Sequence, residues 1–106
     1  TVVVDITSIS LTAGNWLVFG VGYSNPSLGN ATANQCSIST TSATHRTFAS
    51  GTLGNAINDV ASTNAMQTGG VTLSLSATTT VYLVFSSTFP SGTNAAHGSI
   101  IGIRLP

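Results

Sequence analysis

The stretch VTLSLSATTTVYLVFSSTF, residues 71–89, reads as two strands joined by a polar turn. Val71, Leu73 and Leu75 alternate with Thr72, Ser74 and Ser76, which gives that strand one apolar face and one wet face. Beyond Ala77–Thr79 the pattern changes. Val81, Leu83 and Phe85 oppose Tyr82 and Val84, so both faces of the second strand are apolar. A strand of that kind needs cover on both sides.

The same signals extend outward in both directions. Strands are predicted at Val2–Ser10, Asn15–Tyr23, Gln35–Thr41, His45–Ala49, Val71–Ser76, Thr80–Phe89 and Ala96–Leu105, with a further one near Ala56–Ala61. Turn residues separate them at Thr12–Asn15, Asn25–Ser27, Ser50–Gly51, Gly69–Gly70 and Pro90–Gly92. No segment has a helical pattern, and Glu, Lys and Arg are too scarce to clothe helix surfaces. The expected fold is an all-β antiparallel sandwich of the jelly-roll kind, with residues 1–106 forming one domain.

Two more strands are apolar on both faces. Trp16 and Val18 oppose Leu17, Phe19, Val21 and Tyr23, while Ile100 opposes Ile101 and Ile103. At about 25 cal/mol per Å² of apolar surface, leaving such a face wet forgoes several kcal/mol. A partner chain is the natural cover in a domain without helices, and long loops of the same chain are the alternative. The balance favours a homo-oligomer.

Composition narrows the function. Only 4% of residues are Asp, Glu, Lys or Arg, against 42% hydrophobic, where a typical domain carries roughly 25% charged residues. With Arg46 and Arg104 as the only Lys or Arg, the chain lacks the basic patch that nucleic acid requires. No apolar run reaches the ~18 residues of a membrane-spanning helix, so no membrane insertion is predicted. The chain opens on Thr1, as expected for the C-terminal fragment of a longer fibrous protein. Cys36 reads as a small buried hydrophobe.

Catalysis finds little support. A triad needs a nucleophile, His and a carboxylate in contact; the inventory is His45, His97, Asp5 and Asp59, with no Gly-x-Ser-x-Gly elbow. Asp5 and Asp59 are also the only side-chain carboxylates for the pair a glycosidase uses. The expectation is no enzyme activity and no cofactor. No metal site is predicted within one chain, although three copies of His97 around a three-fold axis would form an imidazole cluster. Arg104 ends an apolar strand; buried, it needs Asp5 or backbone carbonyls as a partner, and exposed it needs none.

Four segments carry a resemblance. Ile9–Trp16 (ISLTAGNW) resembles the ISLTAGDW stretch of bacteriophage and prophage tail-fibre head domains, and Ser37–Thr44 (SISTTSAT) resembles their GISTTSAT strand and turn. Leu73–Val84 (LSLSATTTVYLV) is similar to their LSLSATTTVYLV signature, and Gly98–Arg104 (GSIIGIR) is similar to their closing Gly-x-Ile-x-Ala-Arg strand. The matches run in order from residue 9 to residue 104. Two departures, the apolar run Leu17–Val18–Phe19 after Trp16 and His97 in place of an aromatic residue, fall on the predicted inner strands.

The resemblance implies the head of a tail fibre, tail spike or tail needle, located on the virion and outside the cell. Such heads are homotrimeric jelly rolls like those of tumour-necrosis-factor-like trimers, and they recognise a host bacterial surface glycan or outer-membrane protein. The expected trimer interface is Phe19, Tyr82, Val84, Ile101, Ile103 and Arg104. Neutral glycans are held by amides and hydroxyls with an aromatic ring against the sugar, so receptor contacts are expected from Asn25, Asn30, Asn55, Asp59, Asn64, Gln67, Phe89 and Asn94. The stretch Ser50–Gly70 is the first choice for the receptor-facing loop, followed by Ser24–Asn34 and Thr88–Ala96. The alternatives are a trimerising tip or cap without its own receptor site, and a lectin-like carbohydrate-binding module. If every connection reverses direction, seven strands put the termini at opposite ends and eight put them at the same end.

Overall fold

The computed structural model describes residues 2–26, 31–44, 56–60, 64–88 and 94–106. These form eight strands and no helix: β1 (Val2–Leu11), β2 (Gly14–Pro26), β3 (Ala31–Ser39), β4 (Ala56–Val60), β5 (Asn64–Gln67), β6 (Val71–Leu75), β7 (Thr79–Thr88) and β8 (Asn94–Arg104). The first sheet has the order β1-β7-β3-β4. In the second, β2 is central, β8 pairs along one edge from Trp16↔Arg104 to Pro26↔Asn94, and β6 and β5 share the other edge in succession. All pairings are antiparallel. The strand expected at His45–Ala49 lies outside the described residues. The strand expected near Ala56–Ala61 is present as β4, and within the expected loop Ser50–Gly70 there is a second, unexpected strand, β5.

One core joins the two sheets. Val81, Leu83 and Phe85 of β7 meet Cys36 and Ile38 of β3, Leu11 of β1, Val18 of β2, and Val71 and Leu73 of β6. Each lies on the face that alternation predicts, and Cys36 sits fully inside.

Where β2 and β8 cross this core their inward positions are mostly glycine: Gly20 and Gly22 on β2, Gly98 and Gly102 on β8. The register pairs Gly22 with Gly98. A Cβ on Gly98 would run into the carbonyl of Val21 on the paired strand, while one on Gly20 would come within 2.9 Å of Leu83 and one on Gly102 within 3.0 Å of Leu11. Facing sheets therefore approach closely at Gly20 and Gly102, and side chains of the first sheet fill the space there.

The step from β5 to β6 is held by Thr68. Its N–H donates to the Gly20 carbonyl at 2.8 Å, and its Oγ1 accepts the Gly20 N–H at 2.8 Å. The side chain thus completes the ladder where the backbone breaks, and β5 and β6 run as one interrupted strand along β2. Eight strands therefore make only seven runs. Val2 pairs with Ser87 at one end of the molecule, and Arg104 pairs with Trp16 at the other. The molecule measures 45 × 22 × 18 Å, and the 13 residues of β2 span most of the long dimension at about 3.4 Å each.

Two substitutions test this packing. Thr68→Ala leaves the buried Gly20 N–H without its acceptor and is expected to cost about 1–3 kcal/mol in urea unfolding. Gly98→Ala is expected to cost a similar ~1–3 kcal/mol through overpacking, whereas Gly69→Ala, with open space around the new Cβ, leaves the midpoint in place. Equal midpoints for Gly98→Ala and Gly69→Ala would refute the crowding at Gly98.

Candidate functional site

Trp16, Val18 and Ile100 point inward beside the glycines, and the other large side chains of β2 and β8 face outward. Leu17, Phe19, Val21 and Tyr23 of β2 stand in register with Ile103, Ile101, Ser99 and His97 of β8 on the outer face of the second sheet. Leu17 and Phe19 are half-buried. Val21 is 37% exposed, Tyr23 39%, Ile101 45% and Ile103 47%, which is high for side chains this apolar. Asn15, Thr72, Ser74 and Gln67 border the row and are exposed. No charged side chain is among these residues. A continuous apolar row of this kind is unusual on the surface of a monomer.

At one end of the row the Tyr23 and His97 rings lie 6.2 Å apart, tilted by 50°. At the other end, Arg104 belongs to the opposite side of the sheet with Trp16. Its guanidinium carbon is 5.4 Å from the Trp16 ring centroid. Its Nη1 donates to Thr12 Oγ1 at 3.0 Å and its Nη2 to the Ala13 carbonyl at 3.2 Å. Gly14, at φ 138°, makes the turn beneath this guanidinium, and a Cβ there would come within 2.9 Å of Nη2. Asp5 is not the partner of Arg104. The Asp5 carboxylate accepts the Ser42 hydroxyl and, at 2.7 Å, the Ala43 N–H, anchoring the turn after β3 in which Ala43 takes φ 49°.

The interface expected from the sequence divides between two surfaces. Phe19, Ile101 and Ile103 come together on the apolar row. Tyr82 and Val84 lie on the outer face of the other sheet, and Val84 is completely buried, so it offers no surface to a partner. Ser37, Ser39 and Ser86 on that face are buried too. For β7 the second cover is thus supplied within one chain, whereas the second face of β2 and β8 stays open. Leu17, Val21 and Tyr23 belong with Phe19, and their shared alternation is the signal that identifies them.

The expected receptor residues are placed mainly by backbone position. Ser24↔Asn64, Asn25↔Ala95 and Pro26↔Asn94 bring Asn25, Asn64 and Asn94 to one end of the second sheet, the end of the molecule at which Val2 of the first sheet lies. Asp59 lies at the same end, one residue from Val60, which pairs with Ala31. Gln67 is exposed beside Val21, on the border of the apolar row. Asn30, Asn55 and Phe89 lie outside the described residues. Among the described residues no group of three His, Cys, Asp or Glu side chains is arranged to hold a metal ion. Against protein-family models, curated proteins and solved structures, the chain has no match.

Two charged substitutions separate the two outer faces. Val84→Asp buries a carboxylate and is expected to cost more than about 3 kcal/mol, giving an unfolded chain by circular dichroism. Ile101→Asp places the same charge on an open surface and is expected to retain the β spectrum. A folded Val84→Asp chain would show that the face over β7 is open after all.

Proposed function

We propose that this chain is a homotrimeric head domain of a phage tail appendage, with jelly-roll character, acting by adhesion to a bacterial surface glycan or outer-membrane protein. One observation carries the oligomer: the uncharged apolar row in which Val21, Ile101 and Ile103 are exposed beside the half-buried Leu17 and Phe19. Such a row gains little by facing water and much by facing its own copy. The four ordered motif resemblances support the tail-head assignment, and the two four-stranded antiparallel sheets are compatible with it.

Adhesion follows from what the surface offers. A nearly charge-free exterior favours neutral ligands over nucleic acid or ionic partners, and three weak sites on one rigid trimer gain avidity against a repeating glycan. In a head joined to its shaft at the Val2 end, Asn25, Asp59, Asn64 and Asn94 sit next to the shaft. The free end then carries the β1–β2 turn, the turn after β3, the β6–β7 turn and Leu105–Pro106.

The test is solution mass by light scattering after gel filtration, followed by binding of the labelled chain to bacterial cells. The expected mass is that of three subunits, unchanged by high salt because the row holds no ion pairs. The double variant Ile101→Asp, Ile103→Asp is expected to run as a folded monomer. A wild-type monomer would refute the assembly, and a trimer that binds no cells would leave only a structural tip.

A further inference from the structure

The end of the molecule opposite Val2 holds a groove that the loop residues expected from the sequence do not touch. Its volume is about 280 Å³, and its walls are Asn15, Thr72, Leu73, Ser74, Leu105 and Pro106. Asn15 pairs with Ser74 and Leu17 with Thr72, so one amide and two hydroxyls share the outer face at the β2–β6 edge. All three side chains are exposed. The opposite wall is the chain beyond β8, where the Leu105 N–H donates to the Asn15 carbonyl at 2.9 Å and so keeps Leu105 and Pro106 beside β2.

The chemistry of these walls selects a ligand. An amide and a hydroxyl each offer both a donor and an acceptor. A carboxylate wants donors only, and an ammonium wants acceptors only. The hydroxyls of a sugar want both, and a sugar ring also has an apolar C–H face that suits Leu105 and Pro106. No wall residue carries a charged side chain to favour an ionic ligand. The volume falls just below the roughly 300–1,000 Å³ of small-molecule pockets, which suits one ring rather than a chain of them.

We propose that this groove is a subsite for a single neutral sugar unit, with Asn15, Thr72 and Ser74 as the hydrogen-bonding wall and Leu105 and Pro106 as the apolar wall. This rests on the adhesive part of the function proposed above and moves its contact point from the Val2 end to the opposite one. The groove adjoins the apolar row, since Leu17 pairs with both Thr72 and Ile103. In an assembly built on that row, the subsites therefore sit at the lip of each subunit contact.

The experiment is a titration of the ¹⁵N-labelled chain followed by NMR. The probes are neutral methyl glycosides of glucose, galactose and mannose and N-acetylglucosamine, with galacturonic acid and glucosamine as charged counterparts. At least one neutral sugar is expected to shift the Asn15 side-chain amide and the Thr72, Ser74 and Leu105 amides in the millimolar range, and the charged sugars are expected to bind about tenfold more weakly. Asn15→Ala and Ser74→Ala, both at exposed positions, are expected to weaken binding by a similar factor, with Ser74→Thr restoring it. Shifts confined to Tyr23 and His97, equal binding of the charged sugars, undiminished binding by Asn15→Ala and Ser74→Ala, or no shift at all would each overturn the subsite. Mass measured on the same sample separates the two proposals. A monomer with these shifts keeps the subsite and removes the trimer, and a trimer without them does the reverse.

Discussion

The closeness of the two sheets is the constraint on which the rest depends. Leu83, Ile38 and Leu11 reach across the interior to positions that β2 and β8 leave almost empty. Beside these glycines the second sheet contributes Val18, Val71 and Leu73 to the core, with Trp16 and Ile100 packed against it. The remaining large residues of β2 and β8 stand on the outer face. Exposure of Val21, Ile101 and Ile103 is in this sense a product of the interior: bulk excluded from one side of the sheet reappears on the other. The chain carries an apolar surface as the counterpart of a tight core, and the assembly proposed above would bury it.

The two sheets meet this demand differently. Over β7 the chain covers itself, and Val84 and Ser37 are as deeply buried as the core. The Asp5 carboxylate adds polar anchoring on that side by holding Ser42 and Ala43. Over β2 nothing comparable is found among the described residues. The unbroken pairing of β8 along β2 lines up the apolar side chains of both strands, while the break between β5 and β6, bridged by Thr68, turns an even number of strands into an odd number of runs. Together these give a molecule with one sticky face and two chemically distinct ends.

Much of this was legible in the sequence. The alternation through residues 71–89 located β6 and β7 and assigned Val81, Leu83 and Phe85 to the core, and the same reasoning put Leu17, Phe19, Val21 and Tyr23 on one face. A period of two states that a face is apolar, but not what covers it. That is why Val84 and Phe19 read alike in sequence and differ in the structure. Glycines at 20, 22, 98 and 102 carry no periodic hydrophobic signal, so the close approach they permit was invisible until the register was known. The segment Asn64–Gln67 has no β-branched residue and becomes a strand through its pairing with β2. The groove combines residues from β2, β6 and the chain after β8, and no local pattern joins segments so far apart.

The chain has a single tryptophan, and its setting makes it a built-in optical reporter. Trp16 packs against the core on one side and lies under the Arg104 guanidinium on the other, with its indole N–H donating to the Thr12 carbonyl at 2.9 Å. Its neighbour in the chain, Asn15, forms part of the groove wall. Intrinsic fluorescence excited at the indole therefore reports from one fixed point on both the integrity of the interior and the state of the groove, with no label attached to so sparsely functionalised a surface.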